Sequence, residues 1–193
     1  VGMMGLWACD TGAPRTNTAE LGDPIPGLTD AERGAFLLGR ALFQRLASPD
    51  EGLGPLFNAE RCSSCHDVPV TGGGGTRILV LKATRFTEGV CDGLRNAGGD
   101  NIQLRATDLL TGIGLGPERI PDEATASVFV VAPPLFGLGL IQEVPDSVLE
   151  SMADPNDRDG DGISGRLPRL ADGRTARFGR KGDAADVVGF IDS

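Results

Sequence analysis

The chain has very little histidine and few aromatic residues other than phenylalanine. It contains one His, no Tyr and a single Trp, which is Trp7. One imidazole excludes His-rich metal sites and any His-based catalytic arrangement beyond one centre. Without Tyr, and with its Trp close to the start, the body of the chain has no side chain suited to aromatic radical chemistry.

Long apolar runs and an excess of positive charge are also missing. The longest apolar run, Val128 to Ile141, is interrupted by Pro133 and Pro134 and is too short to span a membrane. The 18 Lys and Arg stand against 27 Asp and Glu, which gives a net charge of −9. Such a charge repels phosphate backbones, so we expect no nucleic-acid partner.

The length and the turn-forming residues predict one domain with long loops. The chain has 193 residues, of which 29 are Gly and 13 are Pro. A capping box at Thr29 and Glu32, followed by apolar residues at helical spacing, predicts a helix that runs to about Ala47. The apolar run in 77–86 predicts a strand. The other expected elements are a weaker strand at 102–106 and short helices at 53–60, 146–153 and 183–191.

The first residues resemble the end of a bacterial lipoprotein signal. Leu6 stands three residues before Cys9, as it does before the Cys that is lipidated after cleavage. We expect residues 1–8 to be the remnant of this signal, Cys9 to carry lipid, and residues 9–28 to form a flexible tether. The alternative is an ordinary apolar start with a free or disulfide-bonded Cys9. Both interpretations imply export.

The most specific motif is Cys-Ser-Ser-Cys-His at residues 62–66. This spacing is the attachment signature of c-type haem, because two thiols add across the two vinyl groups of one porphyrin and the next imidazole reaches the iron. The alternatives are a redox-active dithiol, which lacks its strand–helix frame here, and half of a zinc site. The motif predicts one covalent haem c held by Cys62 and Cys65, with His66 as the axial ligand.

The surroundings of the axial imidazole can also be anticipated. The second ring nitrogen of His66 should donate to a backbone carbonyl, and the chain near Pro69 or Pro133 is expected to supply it. In c-type cytochromes an apolar–aromatic pair commonly precedes the haem cysteines and covers the haem edge. Phe57 and its apolar neighbour fit that place, whereas Phe43 lies too far upstream for the same turn.

The sixth position of the iron has several interpretations. A second His is absent, so bis-His ligation by this chain is excluded. Met152 is the one Met outside the apolar start, and a place in the core of a helix is its simpler explanation. Lys82 and Lys181 are uncommon ligands. We therefore expect the position to be open or to be filled by residues beyond Ser193.

An acidic segment matches part of a calcium-binding loop. Asp157, Asp159 and Asp161 alternate and precede a Gly, as at positions one, three, five and six of an EF-hand loop, with the Ile163 carbonyl at position seven. Position twelve is Pro168, so the bidentate carboxylate is missing. Two interpretations stand: a calcium site completed by other groups, and an acidic turn that binds no ion.

Several motifs follow one another along the chain in a recognisable order. They are Leu-Phe-Asn at 56–58, the haem motif at 62–66, Pro-Pro-Leu-Phe-Gly-Leu-Gly-Leu-Ile at 133–141, Ala-Asp-Pro at 153–155, Asp-Gly-Asp-Gly-Ile-Ser-Gly-Arg at 159–166, and Arg-Phe-Gly at 177–179 with Lys181. This succession resembles the di-haem oxidoreductase family, whose members are often labelled thiol oxidoreductases and are distantly similar to bacterial di-haem cytochrome c peroxidases. The resemblance covers about residues 28–192.

The resemblance implies a haem-binding redox protein. The chain differs from the family in ways that limit which redox mechanism the resemblance implies. Family members are about twice this length and carry a second haem motif, so the chain is similar to an N-terminal mono-haem half. Arg180 stands where the family frequently has Trp before the Lys. With one haem and no aromatic conduit, this chain does not complete a two-haem peroxidase mechanism.

The densest basic run of this acidic chain lies near its end, where Arg177 and Lys181 belong to it. One interpretation pairs Arg177 and Lys181 with haem propionates, which Arg binds with two parallel hydrogen bonds. The other interpretation is a solvated face that neutralises nearby Asp residues.

Together these patterns predict a mainly α fold, a cytochrome c-like helical domain over residues 29–193 with long Gly/Pro-rich loops and a small β insertion. They predict electron transfer through one haem c in the bacterial periplasm or at the outer face of the cell envelope, with a lipid anchor and a redox protein partner. The alternatives are a peroxidase-like haem enzyme with an open sixth position and a haem-bearing structural subunit of a larger membrane complex.

Overall fold

The computed structural model describes residues 19–179 and 182–192. Contacts divide the chain into two units, Val1–Pro134 and Leu135–Ser193, a division that the sequence does not predict. The expected signal remnant and the lipidated Cys9 lie outside the described residues. Among the helices of the described part, none has the length and apolar character needed to cross a membrane.

The first unit opens with the 15-residue helix α1 (Asp30–Gln44). The predicted capping box is confirmed: the Thr29 hydroxyl accepts from the Glu32 N–H at 3.3 Å, and the Glu32 carboxylate accepts from the Thr29 N–H at 2.8 Å. These hydrogen bonds to Thr29 lower the pKa of Glu32. The capping box satisfies N–H groups that a helix start leaves without partners, which explains where α1 begins.

Six strands and one short helix follow in the first unit. They are β1 (Leu56–Phe57), β2 (Leu79–Thr87), β3 (Val90–Asp92), β4 (Asn101–Ile102), β5 (Arg105–Ala106), α2 (Asp108–Gly112) and β6 (Ala126–Val131). The strand predicted at 77–86 is confirmed as β2, whereas the helix predicted at 53–60 is wrong. In that segment β1 pairs antiparallel with β5, a long-range partner that local sequence patterns do not reveal.

The larger sheet is built around β2, which pairs antiparallel with β3, β4 and β6. Its buried face carries Leu81 and Ala83, which pack with Leu94 and Ile102 as the core of the unit. Alternation along β2 places these two side chains on the same face. The two-residue turn between β2 and β3, Glu88-Gly89, has φ angles of 51° and 82°, as a type I′ hairpin turn requires.

The described part of the second unit holds three short helices, α3 (Leu138–Gln142), α4 (Asp146–Met152) and α5 (Val187–Ile191). The helix predicted at 146–153 is confirmed as α4, and α5 is a shorter form of the one predicted at 183–191. Isolated bridges join the loops, and Thr175, Ala176, Phe178 and Ala184 are buried. Met152 is 75% exposed, so its expected place in a helix core is wrong.

The prediction of a mainly α, cytochrome c-like helical fold is wrong. Helices make up 26% and strands 19% of the structure, with two antiparallel sheets, so the fold is mixed α/β. The physical reason lies in two features of the sequence. The β-branched and aromatic residues of β6 fit a pleated surface better than a helix. The frequent Gly and Pro residues keep every described α-helix other than α1 to between five and seven residues.

Candidate functional site

The two motif cysteines and the histidine lie on one tight turn of the first unit. Cys62–Ser64 form a single 3₁₀ turn, and the backbone N–H groups of Cys65 and His66 both donate to the Cys62 carbonyl at 3.2 Å. Both thiols are free; Cys62 is exposed and Cys65 is half-buried. The turn therefore presents two reduced sulfurs beside one imidazole.

The imidazole of His66 is held by the chain that follows β6. Its Nδ1 lies 2.9 Å from the Pro133 carbonyl oxygen, so the predicted carbonyl near Pro133 is confirmed. A carbonyl only accepts hydrogen bonds, so this contact requires the proton on Nδ1. Nε2 is then the unprotonated nitrogen, the form in which an imidazole binds a metal.

The aromatic residue beside His66 is Phe43 from α1, not Phe57. The ring centroids of Phe43 and His66 are 6.3 Å apart and their planes are inclined by 55°. Phe57 instead lies under Arg105, with the guanidinium carbon 4.7 Å from the ring centroid. The pairing of β1 with β5 places Phe57 against Arg105, so its covering of a haem edge stays a prediction. Phe43 lies far from the motif in sequence but close to it in the fold, because α1 packs beside the motif turn.

A cleft of about 600 Å³ opens beside the motif. Cys62, Cys65 and His66 line it together with apolar side chains from several segments, among them Leu42, Leu53, Val80 and Ala132. Its volume is in the range of small-molecule and cofactor sites. The charged residues Arg45, Glu51, Glu60 and Arg61 also line it, so an apolar wall, two thiols and one imidazole lie beside a charged rim.

The electrostatic environment keeps the half-buried thiol protonated. Burial raises the pKa of Cys65, and the charges of Asp67 and Cys62 raise it further. The Oδ1 atom of Asp67 is buried and has no hydrogen-bond partner among the described residues. A thioredoxin-like dithiol stands at the start of a helix, whereas this motif forms a single 3₁₀ turn and the next α-helix among the described residues begins at Asp108.

The ligand atoms of the motif do not converge on one point. In the described residues, the one group of three or more His, Cys, Asp or Glu ligand atoms within 4.8 Å of one another is Asp157, Asp159 and Asp161. A tetrahedral zinc site needs such convergence, with every ligand about 2.0–2.3 Å from the metal. Among the described residues, Cys62, Cys65 and His66 therefore do not form a three-ligand zinc site.

The predicted calcium loop lies in the second unit and closes on itself. Asp154 and Gly165 exchange two backbone hydrogen bonds of 2.9 Å at its base. Inside it, Asp157 accepts from the Gly162 N–H at 3.1 Å and Asp161 accepts from the Ile163 N–H at 2.8 Å. These turns explain the clustered carboxylates without an ion, so calcium binding by Asp157, Asp159, Asp161 and Ile163 stays a prediction.

Arg177, one of the two residues expected to bind haem propionates, makes its contacts with other residues of the second unit. Arg177 is largely buried and donates to the carbonyls of Ile141 and Gln142, at 3.1 and 3.0 Å, at the end of α3. It also pairs with Asp146. These contacts give Arg177 a structural role as a helix cap within the second unit. Lys181, its companion in the prediction, lies outside the described residues.

Comparison with known proteins finds no relative whose site could be compared with this one. No protein-family model, no curated protein and no solved structure matches the chain. The case for its function therefore depends on the motif and its geometry.

Proposed function

We propose that the chain binds one c-type haem through Cys62 and Cys65, with His66 as the axial ligand, and transfers electrons in the cell envelope. The observation that carries this proposal is the hydrogen bond between His66 Nδ1 and the Pro133 carbonyl. It orients the only imidazole of the chain, fixes its tautomer and leaves Nε2 for the iron.

The residues around the motif fit this cofactor better than the other uses of two cysteines. The motif forms a 3₁₀ turn and not the start of an α-helix, which argues against a thioredoxin-like dithiol, and Cys62, Cys65 and His66 do not form a converged group of three ligands, which argues against a zinc site that uses all three. Covalent attachment of haem would instead require two separate thiols at the edge of the porphyrin ring and an imidazole at its centre. The cleft beside the turn supplies an apolar wall for such a ring.

The roles of the chain in this chemistry follow from the same groups. Cys62 and Cys65 would each hold a haem through a thioether, in which the sulfur is bonded to one vinyl carbon and the thiol proton has gone to the other. No oxidant or reductant is consumed in this addition. His66 would bind the iron through Nε2, and its hydrogen bond to the Pro133 carbonyl would raise the basicity of the imidazole. A haem held in this way supplies a one-electron iron couple.

A peroxidase-like haem enzyme is the second candidate, and one observation favours it. Among the described residues that line the cleft there is no Met, no Lys and no second His. A sixth position without a strong protein ligand binds small molecules, whereas two strong ligands favour electron transfer alone. The resemblance to the di-haem oxidoreductase family is compatible with both candidates.

The location and partners belong to the same proposal. We infer a periplasmic or outer-envelope site, a lipid anchor at Cys9, and a redox protein partner, with a larger membrane complex as an alternative setting. A mature chain that begins with an acylated Cys9 in intact-mass analysis is the expected result in the native host. An unmodified Cys9, with membrane association unchanged in Cys9→Ser, contradicts the anchor.

The cofactor is tested by producing the chain in a host that attaches haem to Cys-x-x-Cys-His motifs. On a denaturing gel stained for haem, the wild-type band is expected to stain and the Cys62→Ser/Cys65→Ser double variant is expected not to stain. Cys91→Ser is the matched control, because it removes another exposed free thiol that lies outside the motif. Equal staining of the double variant, or no staining of the wild type, contradicts the proposal.

A further inference from the structure

The four-glycine loop at Gly72–Gly75 is bound to both sides of the candidate site. On one side, the Gly72 N–H donates to the His66 carbonyl at 2.9 Å. On the other, the Gly75 N–H donates to the carbonyl of Ala132 at 2.9 Å. Ala132 directly precedes Pro133, whose carbonyl holds the His66 ring. The loop thus connects the motif turn to the segment that supplies the imidazole's acceptor.

The space around Gly75 explains why no larger residue fits at this position. A Cβ built on Gly75 would lie 2.5 Å from the Cys65 carbonyl oxygen and 3.3 Å from the Ala132 side chain. The first of these contacts is with backbone, which cannot rotate away as a flexible side chain does. Gly75 does not have a positive φ, so its glycine is needed for close approach rather than for backbone conformation.

We propose that Gly75 is a positioning residue that sets the hydrogen bond between His66 Nδ1 and the Pro133 carbonyl. By letting the loop lie against Cys65 and bind Ala132, it fixes the separation between the motif turn and the Pro133 carbonyl. A side chain at position 75 forces the two apart and breaks the contact that selects the imidazole tautomer. The inference rests on the proposed function only for the statement that His66 is an iron ligand.

The single histidine makes the inference directly measurable in the full chain without haem. In a ¹⁵N-labelled sample, the two imidazole nitrogens give NMR signals that can come from no other residue. The wild type is expected to show one tautomer, with the proton on Nδ1. Gly75→Ala is expected to show a mixture of tautomers, because the Pro133 acceptor has moved. Gly93→Ala is the matched control, since nothing lies within 4 Å of a Cβ at that glycine.

A second variant covers the case in which Gly75→Ala does not fold. At Gly74 an added Cβ would lie 3.3 Å from the Ala132 carbonyl oxygen, so that substitution needs only a small displacement. Gly74→Ala is expected to fold and to shift the Nδ1 signal toward that of the mixture. A wild-type tautomer in a folded Gly75→Ala, or an unchanged Nδ1 signal in Gly74→Ala, overturns the inference.

A measurement on the haem-loaded chain separates this inference from the proposed function. Loss of the Pro133 contact lowers the basicity of the ligand, so the reduction potential of Gly75→Ala is expected to lie above that of the wild type and of Gly93→Ala. Equal potentials overturn the positioning role while leaving haem binding intact. Absence of haem overturns the proposed function and leaves the NMR result on the tautomer valid.

Discussion

Phe43 and His66 are 23 positions apart in the chain and face each other with their ring centroids 6.3 Å apart. This pair ties α1 to the motif turn. Phe43→Ala is expected to lower the free energy of unfolding by about 1–2 kcal/mol, because it removes an aromatic contact of a half-buried side chain. Urea unfolding followed by circular dichroism measures the change.

Phe86→Ala is the control for this substitution, because Phe86 is 54% exposed on β2. It is expected to change the free energy of unfolding by less than Phe43→Ala does. An equal loss in the two variants contradicts the claim that Phe43 joins α1 to the motif.

The ion pair between Asp146 and Arg177 makes the stability of the second unit depend on pH. A hydrogen bond from Thr175, then one from Arg177, lowers the pKa of Asp146 below its ordinary 3.8. A carboxyl whose pKa is lower in the folded state stabilises the fold above its unfolded pKa and loses that contribution as the pH falls through the folded value. Asp146→Asn is therefore expected to melt at lower temperature than the wild type at pH 7, and the gap is expected to close below pH 3.8.

Thermal melting by circular dichroism between neutral and acidic pH checks this expectation. Asp192→Asn serves as the control, since Asp192 is an exposed aspartate of the same unit, at the end of α5. It is expected to melt like the wild type at pH 7. A gap between Asp146→Asn and the wild type that stays constant down to the lowest pH contradicts the role of the ion pair.

Local patterns predict α1 from its capping box, β2 from its apolar run and α4 as a short helix, although no side chain caps the start of α4. Strand β6 is not anticipated because its residues Val128–Val131 belong to a longer apolar run that continues to Ile141 and is interrupted by Pro133 and Pro134. The motif was found from spacing alone. Phe43 and the Pro133 carbonyl are distant from His66 in sequence, so their contacts with it depend on the fold. Sequence spacing alone places Phe43 too far upstream, and it names Pro133 as one of two candidate positions for the carbonyl.

Calcium binding at the acidic loop is tested by melting the protein with calcium and with a chelator. If the sequence prediction holds, calcium raises the melting temperature, because a ligand that binds only the folded state stabilises it. Asp159→Asn is expected to abolish the rise, since Asp159 is one of the three clustered carboxylates. The same melting temperature with and without calcium leaves the loop as an acidic turn.

The sixth iron position is expected to be open or weakly filled. The lining of the cleft in the described residues offers no Met or Lys. The ferric protein is therefore expected to have a high-spin visible spectrum that shifts when cyanide binds. A near-infrared band typical of Met–iron coordination that disappears in Met152→Ala contradicts this expectation and favours electron transfer alone.

The central claim is that one haem is bonded to Cys62 and Cys65, and the mass of the denatured chain tests it most directly. The account predicts a chain heavier by the mass of one haem, with the added mass confined to the peptide that holds residues 62–66. It predicts the unmodified mass for Cys62→Ser/Cys65→Ser. An unmodified wild-type chain from a host that attaches haem to other proteins, or added mass on a peptide without the motif, contradicts it.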